Sequence, residues 1–222
     1  ISPNTTSGFS IVSYTGTGSN ATVGHGLGVA PSMIIIKDRS NNRNWGVYQQ
    51  SMGNTYAIYL DLDNEKGGGN SNFWNSTSPT SSVFSINTRN EVNASSANMI
   101  AYCFADVQGY SKFGSYIGNG NADGTFVYTG FKPAFVMTKK TSGTSSWDIH
   151  DTKRDTFNVA TKYLLAEDSG AEGSTVVLDI LSNGFKFRTS NGDRNASGAT
   201  YLYMAFAENP FTSSAGTPVT AR

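Results

Sequence analysis

Apolar and polar residues alternate with a period of two in FSIVSY (residues 9–14), and a Gly-containing turn cluster, TGTGSN, follows at once. Alternation of this kind predicts a half-buried strand. PSMIIIKD is a continuous apolar run of strand length, and beyond the polar loop RSNNRN come WGVYQQ, YAIYLDLD, SVFSIN and NMIAYCFA. The second half repeats the rhythm with FGSY, TFVYTG, AFVMTKK, SWDIHD, KYLLAED, FKFRTS and ATYLYMAFAE. DTFNVATKYLLAED taken alone has near-helical apolar spacing. Its partner NTYAIYLDLDNE alternates Tyr56, Ile58, Leu60 and Leu62, which predicts strands for both.

The halves are related by a fixed spacing. NASSANMIAYCFAD begins at Asn93 and NASGATYLYMAFAE at Asn195, 102 positions later. The same spacing of 102 links Tyr14 to Tyr116, Pro31 to Pro133, Lys37 to Lys139, Trp45 to Trp147 and Glu65 to Glu167. Self-similarity at one offset predicts repeated units. The expected fold is all-β: two tandem duplicated antiparallel β-sandwich domains, jelly-roll-like, over residues 8–107 and 111–211, with residues 212–222 as a flexible C-terminal tail. Gly109, in the short joining segment DVQGYSKFG, is the expected turning point. Matching places in the repeated last strand predict that Phe104 and Phe206 are buried in the cores.

Composition supports the β reading and removes some partners. Gly numbers 24 and aromatics reach 12%, a mixture of turn and strand formers. With 16 basic and 16 acidic residues the net charge is zero, so no nucleic-acid partner is expected, because phosphates need a basic surface to neutralise them. The one cysteine, Cys103, cannot form an internal disulfide and reads as a buried small side chain. No apolar run approaches the ~20 residues of a membrane helix, so no membrane insertion is expected. The first residue is Ile1, as expected of a processed end or a piece of a longer product.

Few residues carry recognisable chemistry. Trp45 with Tyr48, and Trp147 with His150, are spaced alike in both halves and read either as sugar-stacking platforms or as shared packing residues. Trp74, in GGGNSNFWNSTSPTSS, has no aromatic partner at position 176 and reads as a ligand contact, an edge cover or a subunit contact. Asp61, Asp63 and Glu65 could form a Ca²⁺ site or a solvated strand end. The helical calcium loop is excluded because Lys66 and Asn72 stand where Gly and Glu are required. His25 and His150 are the only histidines, and no nucleophile elbow, zinc helix or phosphate loop accompanies them. No cofactor and no catalytic residue is therefore expected, although a glycosidase needs only two carboxylates. The paired glycines of GTGSN and IGNGN are followed by strand signals and read as turns.

HGLGVAPSMIIIKDR with a following Trp, then YLDLDNE, then YLYMAFAENPF, resembles a repeat domain in virion proteins of tailed bacteriophages, marine phages especially, of tail-fibre or appendage type. The resemblance spans Phe9 to Phe211. It implies a non-enzymatic structural protein on the virion surface, as fibre, appendage or capsid decoration. Implied partners are further copies in a homo-oligomer, a trimer foremost, other virion proteins and host-surface glycans. A free carbohydrate-binding module or lectin-like adhesin remains the alternative, with a polysaccharide-degrading enzyme third.

Overall fold

A computed structural model describes residues 1–68 and 72–208. The tail expected at residues 212–222 lies outside the described residues. The fold is all-β, and every strand pair is antiparallel. The chain divides into two compact units: unit 1 comprises Ile1–Leu62 and Lys66–Asp106, and unit 2 comprises Asp63–Glu65 and the chain from Val107 onward.

Unit 1 contains β1 (Ser2–Asn4), β2 (Phe9–Thr15), β3 (Ala21–Gly24), β4 (Met33–Asp38), β5 (Gly46–Gln49), β6 (Ile58–Tyr59), β7 (Val83–Ile86) and β8 (Asn98–Phe104), with a single helical turn, α1 (Asn90–Asn93), before β8. Its strands form a six-stranded sheet, β1-β2-β8-β4-β5-β6, and a separate pair, β3-β7. The core includes Val12, Ile34, Ile36, Phe73, Trp74, Phe84, Val92, Met99 and Cys103.

Unit 2 contains β9 (Ser111–Ile117), β10 (Phe126–Tyr128), β11 (Pro133–Lys140), β12 (Trp147–Asp151), β13 (Ala160–Leu165), β14 (Gly173–Leu181), β15 (Gly184–Phe187), the helical turn α2 (Gly192–Asn195) and β16 (Thr200–Ala207). All eight strands join one sheet, β10-β15-β14-β13-β12-β11-β16-β9, nearly closed and barrel-like. Its core holds Tyr116, Val136, Leu178, Phe185, Phe187 and Tyr201, with Tyr116 stacked on Tyr201 at 4.8 Å and 7°.

The difference between one sheet and two comes from β14. STVVLDIL is rich in β-branched and apolar residues and pairs with β13 and β15, bridging them. The corresponding stretch of unit 1, around NFWNSTSPTSS, carries Pro79 and places Asn75 and Ser76 at positive φ, which a strand cannot accommodate. Strand-like bonds remain there: Asn87 N–H donates to Phe73 O at 2.9 Å and Arg89 N–H to Asn72 O at 3.0 Å, while in unit 2 Arg188 N–H donates to Val177 O at 2.7 Å.

Two expectations are corrected. Phe104 and Phe206 are only half-buried, because β8 and β16 turn Met99, Ala101 and Cys103, and Tyr201, Tyr203 and Ala205, into the cores. Phe104 instead packs on Phe9 at 4.9 Å, on the other face of the sheet. The pairing of Glu65 with Glu167 also fails. Leu60 N–H donates to Trp45 O as Ala166 N–H donates to Trp147 O, so the spacing in this stretch is 106 rather than 102. Glu167 therefore matches Asp61.

Both units turn sharply after their first long strand, where Gly16 and Gly118 meet the chain following the helical turn. An added Cβ would lie 2.0 Å from Ala94 O at Gly16 and 2.2 Å from Ala196 O at Gly118. Backbone atoms cannot move aside as a side chain can, so Gly16→Ala and Gly118→Ala should each cost about 1–3 kcal/mol. Denaturant unfolding of the two variants measures the loss; a change within error would mean that this approach is looser than described.

Candidate functional site

Each unit is closed by a buried asparagine at the end of its helical turn. Asn93 Nδ2 donates to Ser19 O and Asn87 O, both at 2.7 Å, and its Oδ1 accepts from Thr17 N–H at 2.7 Å. Asn195 Nδ2 donates to Asn121 O and Thr189 O, both at 2.9 Å, and its Oδ1 accepts from Asn119 N–H at 3.0 Å. Every one of these partners is displaced by 102 positions. Tyr14 Oη donates to Val92 O at 2.6 Å and Tyr116 Oη to Arg194 O at 2.8 Å, so the turn before each asparagine is held from the first strand as well.

The residues expected to bind ligand are mostly inside. Trp74 is 1% exposed; its Nε1–H donates to Tyr56 O at 2.9 Å, and its ring meets Tyr48 edge-on at 5.6 Å. With Tyr48 also buried, neither ring offers a face for a sugar, and both are packing residues of unit 1. Burial of Trp147 and His150 removes the second expected platform in the same way. Trp45 alone stays half-buried, stacked on Tyr102 at 6.4 Å with Lys37 Nζ 5.5 Å from its ring.

Asp61 is spent on structure: Oδ1 accepts from Trp45 N–H at 2.9 Å, and in unit 2 Glu167 Oε2 accepts from Trp147 N–H at 3.0 Å. Each carboxylate anchors the beginning of a strand, β5 just after Trp45 and β12 at Trp147. Asp63 contributes its carbonyl, which accepts from Ser145 N–H at 2.8 Å and Lys139 Nζ at 2.9 Å, while Glu65 is exposed. Among the described residues no three His, Cys, Asp or Glu side chains gather as a metal site would require.

The strongest electrostatic feature was not legible in advance. Arg194 Nη2 and Nε donate to Asp148 Oδ1 at 2.6 and 3.1 Å, with both side chains buried. Gly46 and Val92 hold the matching places in unit 1, where an added Cβ on Gly46 would touch Val92 Cγ1 at 3.0 Å. Unit 2 thus has an ion pair where unit 1 has a small apolar contact. Burial pushes the Asp148 carboxyl up to about 6, outweighing the pull of Arg194. The Arg194 guanidinium also lies 4.3 Å from the Tyr163 ring, which is 6.3 Å from His150. Burial and the Arg194 cation push His150 down to about 4, so its ring is neutral near pH 7. Its Nδ1 faces Lys162 O at 3.3 Å, whereas Nε2 is buried without a partner. Lys139 is buried too, and desolvation pushes its ammonium down to about 8 although Asp63 O and Ser145 O accept from it.

Apart from His150 Nε2, the polar atoms of these groups face the protein's own backbone or an ion-pair partner. Two open grooves of about 290 and 300 Å³ lie in unit 1. Val12, Tyr14, Ala21 and Val23 line the first, and Ser13, Thr15, Arg39 and Asn98 the second; neither contains a carboxylate or a histidine.

Removing one member of a buried pair strands the other, so Arg194→Met should cost about 3–5 kcal/mol, and adding Asp148→Asn should recover a large part of it. Urea unfolding of the single and double variants decides this, and equal losses would contradict it. His150 gives a pH signature. Its pKa is depressed on folding, so the unfolded chain takes up the proton first and the His150 contribution is lost as pH falls from about 6.5 to about 4. Asp148, raised on folding, acts in the opposite sense over about 6 to 3.8. His150→Gln isolates the histidine term: relative to wild type it should gain about 3 kcal/mol between pH 7 and pH 4. A pH-independent difference would show that His150 does not titrate in this way.

No curated protein and no solved structure matches this chain. Residues 1–210 match the family model described as Domain of unknown function (DUF7483). A match over nearly the whole length places the chain in that family, and the paired asparagine closures, both within the matched residues, belong to a member of the DUF7483 domain family.

Proposed function

We propose that this chain is a non-enzymatic structural module of a tailed-phage virion, carried on the particle surface as a fibre, appendage or capsid decoration, with recognition of host-surface glycans as its task. The supporting observation is where the reactive side chains are spent. Asp148 faces Arg194, Glu167 holds the Trp147 N–H, Lys139 donates to two carbonyls and His150 is buried. Acids and bases enclosed in this way hold strands together and meet no substrate. The resemblance of HGLGVAPSMIIIKDR and YLYMAFAENPF to phage appendage repeats supplies the setting.

On this reading the units are tandem copies of one antiparallel β-sandwich plan of jelly-roll-like type. The asparagine bonds repeated at a spacing of 102 support that history. Unit 2 then differs by zipping its two sheets into one through β14. The partners are further copies of the chain, in a trimer, together with neighbouring virion proteins; a closed symmetric oligomer suits a surface appendage.

Mass spectrometry of purified particles from a phage encoding the chain, with cryo-electron microscopy to locate it, tests the proposal. Stoichiometric presence on the particle surface is expected. Absence from particles, with turnover of a polysaccharide by the purified chain, would overturn it in favour of an enzyme. A monomer absent from particles that binds glycans without turnover would favour the free lectin-like module.

A further inference from the structure

The four buried aromatic candidates leave unit 2 with a different and exposed aromatic pair. Phe126 and Tyr128 flank the inward-pointing Val127 on β10, and are 44% and 64% exposed. Residues two apart in a strand share one face at about 7 Å, so both rings lie on the outside of the sheet. Phe126 pairs with Lys186 and Tyr128 with Gly184 on β15. A Cβ at Gly184 would lie 2.1 Å from Val127 O and 3.1 Å from Phe126 Cε2, so that position stays bare and Phe126 leans over it. Phe126, over the buried Gly184, thus stands beside the more exposed Tyr128 ring on one face.

The polar surround is charge-balanced. Lys186 Nζ lies 2.7 Å from Asp123 Oδ1, and Arg188 reaches Asp123 at 3.5 Å and Asp179 at 3.6 Å. Two cations thus meet two carboxylates, leaving donors and acceptors without net charge. Unit 1 provides an internal control. His25 N–H donates to Ser82 O as Thr129 N–H donates to Asn183 O, which aligns Thr22 and Gly24 with Phe126 and Tyr128. Threonine and glycine fold the same edge strand, so the aromatic rings are not needed for it to form.

We propose that the Phe126–Tyr128 face, with Lys186, Arg188, Asp123 and Asp179 beside it, binds a neutral saccharide whose adjacent sugar rings lie over the two aromatic rings. Exposed rings of this kind bury C–H faces, while the paired charges hydrogen-bond hydroxyls. A charged polymer would find no net complement here, and charge balance selects an uncharged one. The inference deepens the recognition part of the function proposed above and rests on it.

The test is titration of the intact chain against immobilised neutral oligosaccharides of the glucose, galactose, mannose and N-acetylglucosamine series. Binding to at least one series, little changed by salt, is expected. Phe126→Thr and Tyr128→Thr, which borrow the small-residue design of unit 1, should each weaken binding about tenfold with the thermal midpoint retained. Tyr128→Thr, the more exposed position, decides the matter if Phe126→Thr fails to fold. Binding to none of the series, or wild-type binding by both variants, would overturn the inference. So would self-association in sedimentation that the double variant abolishes without any saccharide binding, since the face would then be a contact between copies. Each of these failures is distinguishable from failure of the virion assignment, which particle composition tests separately.

Discussion

One buried side chain per unit fixes where the rest of the chain can go. Asn93 and Asn195 each tie two segments to the helical turn: the turn after the first long strand, 74 and 76 positions away, and the chain leaving the strand before the helical turn, 6 positions away. A side-chain amide is suited to this because it donates and accepts at one point without charge. Aspartate would set a carboxylate oxygen against two carbonyls, and leucine would leave those groups unsatisfied at about 1–3 kcal/mol each. With the turn pinned, Gly16 and Gly118 must pass against backbone, and Tyr14 and Tyr116 are aimed at the turn's carbonyls.

Around this common closure the units differ in how they spend polar groups. Unit 1 keeps Gly46 against Val92 and fills the space near its split sheet with Trp74, Tyr48 and Phe73. Unit 2 completes its sheet with β14 and accepts a buried Arg194–Asp148 pair, a neutral buried His150 and a buried Lys139. Such pairs bring little net stability over an apolar contact but penalise any arrangement that separates them. Unit 2 also carries the exposed aromatic face.

The sequence made the β class and the spacing legible, because alternation and the Asn-Ala-Ser segments recur in both halves. Strand phase was less visible. In β2, Ser10 and Val12 point inward and Ile11 is left exposed, so hydrophobicity alone misassigns the faces, and Phe104 follows its neighbour Phe9 outward. Trp74 misled because a Gly- and Ser-rich loop suggests solvent, whereas positive φ at Asn75 and Ser76 folds this one over the core. The Asp148–Arg194 pair spans 46 positions of sequence and leaves no local pattern. Phe126 and Tyr128 were readable only as part of a strand, since alternation does not say which strand lies at an edge.

Hydrogen exchange of the Asn93 and Asn195 side-chain amides, followed by NMR, tests the asparagine closure most directly. Both amides sit in buried sites with carbonyl acceptors, so both should exchange only on opening of their own unit and be protected like the amides of the strands around them. Exchange of either side chain at the rate of an exposed loop amide would contradict the account.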